Sequence, residues 1–274
     1  MWKPTVLSVC LVAATAFAQS PDAKPPADEK PPAANADCFP GAIYRKAVSS
    51  DDLWTGIDAV VTLPKFATDP ARIDAKNDRP LDNASCYLGG RAGGTEIDAG
   101  VSWEVIREPD GTVSKQRKAF RPFWRNKQWA TAPAKEQLYF YPGDTIRMRC
   151  WTDAPGKLKF RVELLGREGQ PETPIPLGVH EVEFDAPGFG PGQTQQFKRV
   201  TAIDQVRNEG KPAQPTAARV EGAVFRSVDL LRGPDRRPFI PARFTDMRCP
   251  SRELVKVTPG DADAGGEKID LAGR

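Results

Sequence analysis

Strict alternation of apolar and polar residues, repeated along most of the chain, constrains this sequence more than any other feature. Ile97, Ala99, Val101, Trp103 and Val105 take every second position, and Glu96, Asp98, Gly100, Ser102 and Glu104 fill the gaps. A strand turns successive side chains to opposite faces, so this segment reads as a strand with one buried face. Ile146, Met148 and Cys150 alternate with Arg147, Arg149 and Trp151; Leu158, Phe160, Val162 and Leu164 alternate with Lys159, Arg161 and Glu163. Val182, Phe184 and Phe244 mark further short strands, and Val220, Gly222 and Val224 oppose Glu221, Ala223 and Phe225. Turn signals separate them: Pro109-Asp110-Gly111, Pro142-Gly143-Asp144, Ala154-Pro155-Gly156, and the Pro/Gly-rich residues 187–192. No segment offers an amphipathic helix of three turns. Many short strands with regular turns predict an all-β chain, folded as one antiparallel β-sandwich.

The ends differ from this middle. Lys3, the apolar residues 6–14 and the small-x-small triplet Ala16-Phe17-Ala18 form the pattern of a secretory signal peptide over residues 1–18. That run is too short to span a bilayer, and no later stretch reaches transmembrane length. The expected location is secreted or periplasmic. Residues 19–36 are proline, alanine and charge, and predict a disordered linker. The sandwich domain is expected over 37–250, and a flexible tail over 251–274, where PGDADAGGEK offers little to bury. Asp261-x-Asp263 has half the look of a calcium loop, but Ala272 stands where the closing acid belongs, so a solvated acidic tail is expected. A formal charge of +3 on 274 residues gives no argument for bulk attraction to nucleic acid or membrane; nucleic acid is not expected as a partner, and the mature protein is expected to be soluble or peripherally held.

Cys10 lies in the leader. Cys38, Cys86, Cys150 and Cys249 remain, an even number in an oxidising compartment, which predicts two disulfides with three possible connectivities. The expected pairs are Cys38–Cys249, which ties the domain's ends together, and Cys86–Cys150. No two cysteines are close in sequence and His180 is the only histidine, so no metal site and no cofactor are expected. His180 sits in strand-like sequence with no nucleophile elbow elsewhere, and reads as a surface or half-buried residue. The glycines of residues 89–94 lack the ending of a phosphate loop; they predict a tight hairpin or a close backbone approach.

Three segments in order carry a resemblance. Thr95-Glu96-Ile97-Asp98-Ala99-Gly100-Val101-Ser102-Trp103 is followed by Phe123-Trp124, then by Tyr141-Pro142-Gly143-Asp144-Thr145-Ile146-Arg147-Met148. This resembles the concanavalin-like sandwiches, and among them the glutamic peptidases (eqolisins), over about a third of the chain. The resemblance implies a concanavalin-like jelly roll. It also implies a glutamine–glutamate pair across a concave sheet. Asp98 stands at the glutamine position; the glutamate position falls in residues 217–221, where Arg219 or Glu221 could align. An Asp98–Glu221 pair could hold an acid and a base around a water, since close carboxylates split their pKa values. An Asp98–Arg219 pair would be a salt bridge without that role.

The densest binding signal is residues 115–129, where Phe120, Phe123, Trp124 and Trp129 interleave with Lys115, Arg117, Lys118, Arg121, Arg125 and Lys127. Sugar rings stack on indole faces, and anionic groups pair with Arg and Lys. With the catalytic pair incomplete, the leading expectation is an extracytoplasmic, non-catalytic protein. It would bind carbohydrate or a cell-envelope polymer through Trp124, Trp129, Arg121 and Arg125. The alternatives are a carboxylate-dependent hydrolase using Asp98 and Glu221, and a structural surface or matrix protein.

Overall fold

The computed structural model describes residues 29–33, 37–76, 79–107, 113–167, 178–261 and 263–273, with side chains throughout except at 105–107 and 113–118. The expected leader and most of the expected linker lie outside these residues. The first strands are β1 (Ala42–Ser49), β2 (Gly56–Thr62), β3 (Lys65–Ala67), β4 (Ile73–Asp74), β5 (Arg79–Pro80) and β6 (Asp82–Ala92). They are followed by β7 (Thr95–Arg107), β8 (Val113–Asn126), β9 (Gln128–Thr131), β10 (Thr145–Trp151), β11 (Lys157–Gly166) and β12 (Val179–Asp185). The last are β13 (Gln196–Gln205), β14 (Arg219–Arg232), β15 (Asp235–Pro238), β16 (Phe244–Cys249), β17 (Val255–Pro259) and β18 (Glu267–Ala272). One sheet has seven strands in the order β16-β1-β13-β6-β7-β8-β9. A second has nine, in the order β12-β11-β10-β2-β14-β18-β17, with β15 and β3 added against β14, and β4 and β5 pair as a separate two-stranded sheet. The named pairings are antiparallel, so the chain is the antiparallel β-sandwich that its alternation predicts.

Period-two patterning decides which side of each strand meets the other sheet. Ile146, Met148 and Cys150 of β10 enter the core, as do Leu158, Phe160 and Val162 of β11. From the facing sheet come Ile97, Ala99 and Val101 of β7, with Phe197 and Ile203 of β13. The alternation slips once, in β14. Gly222, at φ 76°, sits in a bulge there, and its N–H donates to Asp270 Oδ1 at 2.6 Å. The extra residue moves Ala223 and Phe225 onto the same buried face as Val220, where unbroken alternation puts them outside.

A charged cluster lies inside this apolar core. Arg45 of β1 and Arg199 of β13 project from the seven-stranded sheet, and Glu267 of β18 projects from the other. Arg45 donates to Glu267 Oε2 at 3.0 Å, Arg199 donates to Glu267 Oε1, and Arg45 also pairs with Asp246 at 3.1 Å. The Arg199 guanidinium lies 5.0 Å from the ring centre of Phe225, 5.7 Å from that of Phe239 and 5.4 Å from that of Phe244. Burial lowers the pKa of Arg199 to about 10, with Glu267 opposing the shift. Each ion is costly alone in such a place, so the cluster is strong only while complete.

Three expectations are corrected. Residues 251–274 are not a flexible tail: β17 and β18 are strands of the nine-stranded sheet, and Val255, Ile269 and Leu271 belong to the core. The expected linker has an anchored part. Glu29 is buried and accepts from Arg243 Nε at 2.6 Å beside Arg237, Lys30 N–H donates to Asp52 at 2.9 Å, and Ala33 O accepts from Thr245 of β16. Cys38–Cys249 forms as expected, with Cα atoms 5.7 Å apart, but Cys86 and Cys150 are free thiols. They stand on opposite sheets as small apolar fillers, and burial raises both thiols to about 12.

Replacing Glu267 by Gln should lower stability by about 3–5 kcal/mol, read as a lower urea midpoint with an unchanged slope, because two buried guanidiniums lose their countercharge. A thiol count checks the corrected pairing. Unfolded in guanidinium without reductant, a chain beginning at Gln19 should present two thiols to Ellman's reagent, and none while folded; none after unfolding would restore the second disulfide.

Candidate functional site

The outer face of the seven-stranded sheet carries a groove of about 730 Å³. Its floor is set by strand register. Lys198 of β13 faces Gly89 of β6, Gly89 faces Asp98 of β7, Asp98 faces Arg125 of β8, and Arg125 faces Trp129 of β9. In the adjacent row Lys46 faces Val200, then Tyr87, Gly100 and Phe123 follow. A wall is supplied by residues 37–41, which the Cys38–Cys249 bridge holds against the sheet and which Phe39 fixes by donating its N–H to Tyr44 Oη at 2.6 Å.

Two glycines let long side chains lie across the floor. A methyl group at Gly89 would sit 2.8 Å from Lys198 Cε and 3.2 Å from Asp98 Oδ1, besides striking the Ile97 carbonyl. The missing side chain is what allows Lys198 and Asp98, two strands apart, to meet above it. Their contact is 2.7 Å. Lys198 also reaches Glu96 Oε1 at 2.5 Å, and Arg125 holds Asp98 Oδ2 at 2.8 Å and Glu209 at 3.0 Å. Gly100 does the same for Tyr87 and Phe123, whose rings meet edge to face at 5.9 Å.

The electrostatics follow from this packing. Burial opposes the charge of Asp98, but Lys198 and Arg125 outweigh it and hold the carboxyl below its usual range. Burial likewise opposes the charge of Lys198, and Asp98 and Glu96 more than restore it, so its pKa is raised. Each therefore favours the charged form of the other, and the pair stands as a carboxylate against an ammonium. Asp204 of β13 is the contrasting group on the groove floor. Burial, with the negative charge of Asp98, lifts it to about 6 despite a 2.5 Å hydrogen bond from Ser85.

The expected site residues separate. Asp98 lies in the groove but Glu221 does not: it is exposed on β14 of the other sheet, in register with Lys65. Arg219, the other candidate, is exposed on the same strand. The two positions stand on different sheets, so neither pair forms across the groove, and the residue opposite Asp98 is Lys198. Arg125 and Trp129 line the groove, with Trp129 stacked on Phe123 at 4.2 Å and 53% exposed. Trp124 is excluded by strand alternation: it turns inward, packs against the core and stacks on His180 at 5.5 Å. Arg121 is on the outer face but pairs with Glu104 at 2.5 Å and stays off the groove wall. Tyr44, Lys46, Tyr87, Lys198 and Asp204 were not singled out by sequence. Among the described residues no cluster could hold a metal ion, and no helix is long and apolar enough to cross a membrane.

Comparison of the coordinates with solved structures places this architecture. A scytalido-glutamic peptidase bound to a transition-state analogue inhibitor matches with a TM-score of 0.53, covering 84% of this chain and 98% of that one at 11% identity. The same enzyme with a peptide-based transition-state analogue matches with a TM-score of 0.50 at 10% identity, with 84% and 98% covered. The fold is that of the glutamic peptidases. At such identity the likeness reaches the fold and no further. No family model matches the chain, and no curated protein matches it by sequence.

Asp204 predicts a pH dependence. Its folded pKa, about 6, is above the ordinary 3.8, so the folded state holds the proton more tightly. The stabilisation is full below pH 4 and is lost as pH rises through 6, amounting to about 1–3 kcal/mol. Asp204→Asn should remove that fall from a plot of stability between pH 4 and 7; an unchanged slope would assign it elsewhere.

Proposed function

We propose that this chain is an exported, non-catalytic binding protein that holds a sugar chain, a carbohydrate or cell-envelope polymer, along the outer groove of the seven-stranded sheet. The observation that carries this reading is the Asp98–Lys198 contact. The resemblance to glutamic peptidases implies a pair that activates water, with Asp98 at its first position. Here that carboxylate is neutralised from both sides by Lys198 and Arg125, so the groove keeps its walls and loses its base. Trp129 supports a sugar as the occupant. One face of its indole is braced flat on Phe123, and half of the residue stays open at the groove mouth, as a stacking platform requires.

One observation favours a hydrolase: Asp204, a carboxyl poised near pH 6 in the same groove. In that reading Asp204 replaces Glu221 as the acid, and Asp98 would have to leave its two cations. The same preparation separates the readings. On a glycan array, wild type should bind a defined set of sugars and Trp129→Ala should lose about 1–3 kcal/mol of that binding, taking the scale of a stacked ring on an aromatic side chain. Casein should stay intact at acidic pH. Casein cleavage that disappears in Asp98→Ala or Asp204→Asn would replace the binding reading with the enzymatic one.

A further inference from the structure

We propose that the groove selects an anionic sugar chain, and that Lys46 is the residue that recognises its acidic group. This rests on the binding reading above and adds the charge class of the ligand.

Two of the cations at the centre of the groove floor are matched by carboxylates. Lys198 is taken by Asp98 and Glu96, and Arg125 by Asp98 and Glu209. Lys46 has no such partner. Its position on β1 faces Val200 on one side and Met247 on the other, within an apolar cluster on the outer face that also holds Tyr44, Ala202 and Cys249. The side chain is half-buried, and its ammonium lies 5.7 Å from the Tyr44 ring centre. Among the described residues no carboxylate is within ion-pair distance of it. The two nearest in influence, Glu96 and Asp98, are already held by Lys198.

The stem of Lys46 is packed against apolar neighbours while its ammonium, with no carboxylate to hold it, opens on the groove. Burial and the neighbouring Lys198 depress its pKa accordingly. Arg91, exposed on the same face of β6, lies off the groove lining and adds a smaller positive influence on Lys46. An acidic group entering beside Tyr44 would replace water at this ammonium and meet a cation that does not need displacing from any protein carboxylate. A neutral hydroxyl could accept from Lys46 as well, but a charge-assisted bond is about twice as strong. Sugar acids and sulfated sugars supply the same negative oxygen, so the seat reads charge on a chain that Trp129 holds by its rings.

The test is calorimetric titration of the full mature chain with matched pairs of oligosaccharides at low salt. One pair is tetragalacturonate and its fully methyl-esterified form; the other is a sulfated galactan tetrasaccharide and its desulfated form. Wild type should favour the charged member of at least one pair by roughly tenfold, with the advantage shrinking as salt is added. Lys46→Met, whose side chain suits the space between Val200 and Met247, should melt at or above the wild-type temperature. It should also bind the charged and neutral members within about twofold of each other. Equal affinity for both members of both pairs in wild type overturns the inference and leaves sugar binding standing, as does a preference that survives in Lys46→Met. Failure of wild type to bind any of the four removes the binding reading itself.

Discussion

The two sheets are held in one register by ions where a sandwich ordinarily uses hydrocarbon alone. Arg45, Arg199 and Glu267 meet in the core, and Phe225, Phe239 and Phe244 surround Arg199. An apolar interface tolerates sliding by a fraction of a residue, because dispersion contacts have little directionality. A carboxylate shared between two guanidiniums does not, because each oxygen has one good position. The cluster fixes β18 against β1 and β13, and β13 is the strand that presents Lys198 and Asp204 on its opposite side. The placement of the groove floor thus depends on a contact beneath it.

The floor is built by subtraction. Lys198 and Asp98 are separated by a full strand, and they meet because Gly89 has no side chain; Tyr87 and Phe123 meet over Gly100 for the same reason. Together these rows pair an ionic stripe with an aromatic one across a single sheet. In the ionic stripe Asp98 is neutralised from both sides by Lys198 and Arg125. The aromatic stripe runs out to Trp129, which stacks on Phe123 and keeps half of its surface open.

The fold was legible because alternation is local: every core residue of β10 and β11 can be picked from neighbours in sequence. The errors came where local reading was incomplete or overruled. Strand parity alone separates Trp124 from Arg121, Phe123 and Arg125, and counting along β8 would have shown it. In the last strand Glu267, Ile269 and Leu271 alternate with Lys268 and Asp270, a signal hidden behind the glycines and acids of residues 260–266. Lys198 carries no local mark, since its meaning comes from Asp98, far away in the chain and two strands over. Cys86 and Cys150 show the limit of counting: an even number permits a bridge, but here each thiol fills a place in opposite walls of the core.

Glu29 gives the domain an earlier start than its first strand. Its carboxylate sits between Arg243 and the nearby Arg237, and a few residues on Ala33 accepts a hydrogen bond from Thr245 of β16, an edge strand. Loss of this acid would leave the Arg243 guanidinium buried without its countercharge and Arg237 close beside it. A segment ahead of the first strand is thereby tied to the folded domain by charge, not by sheet pairing.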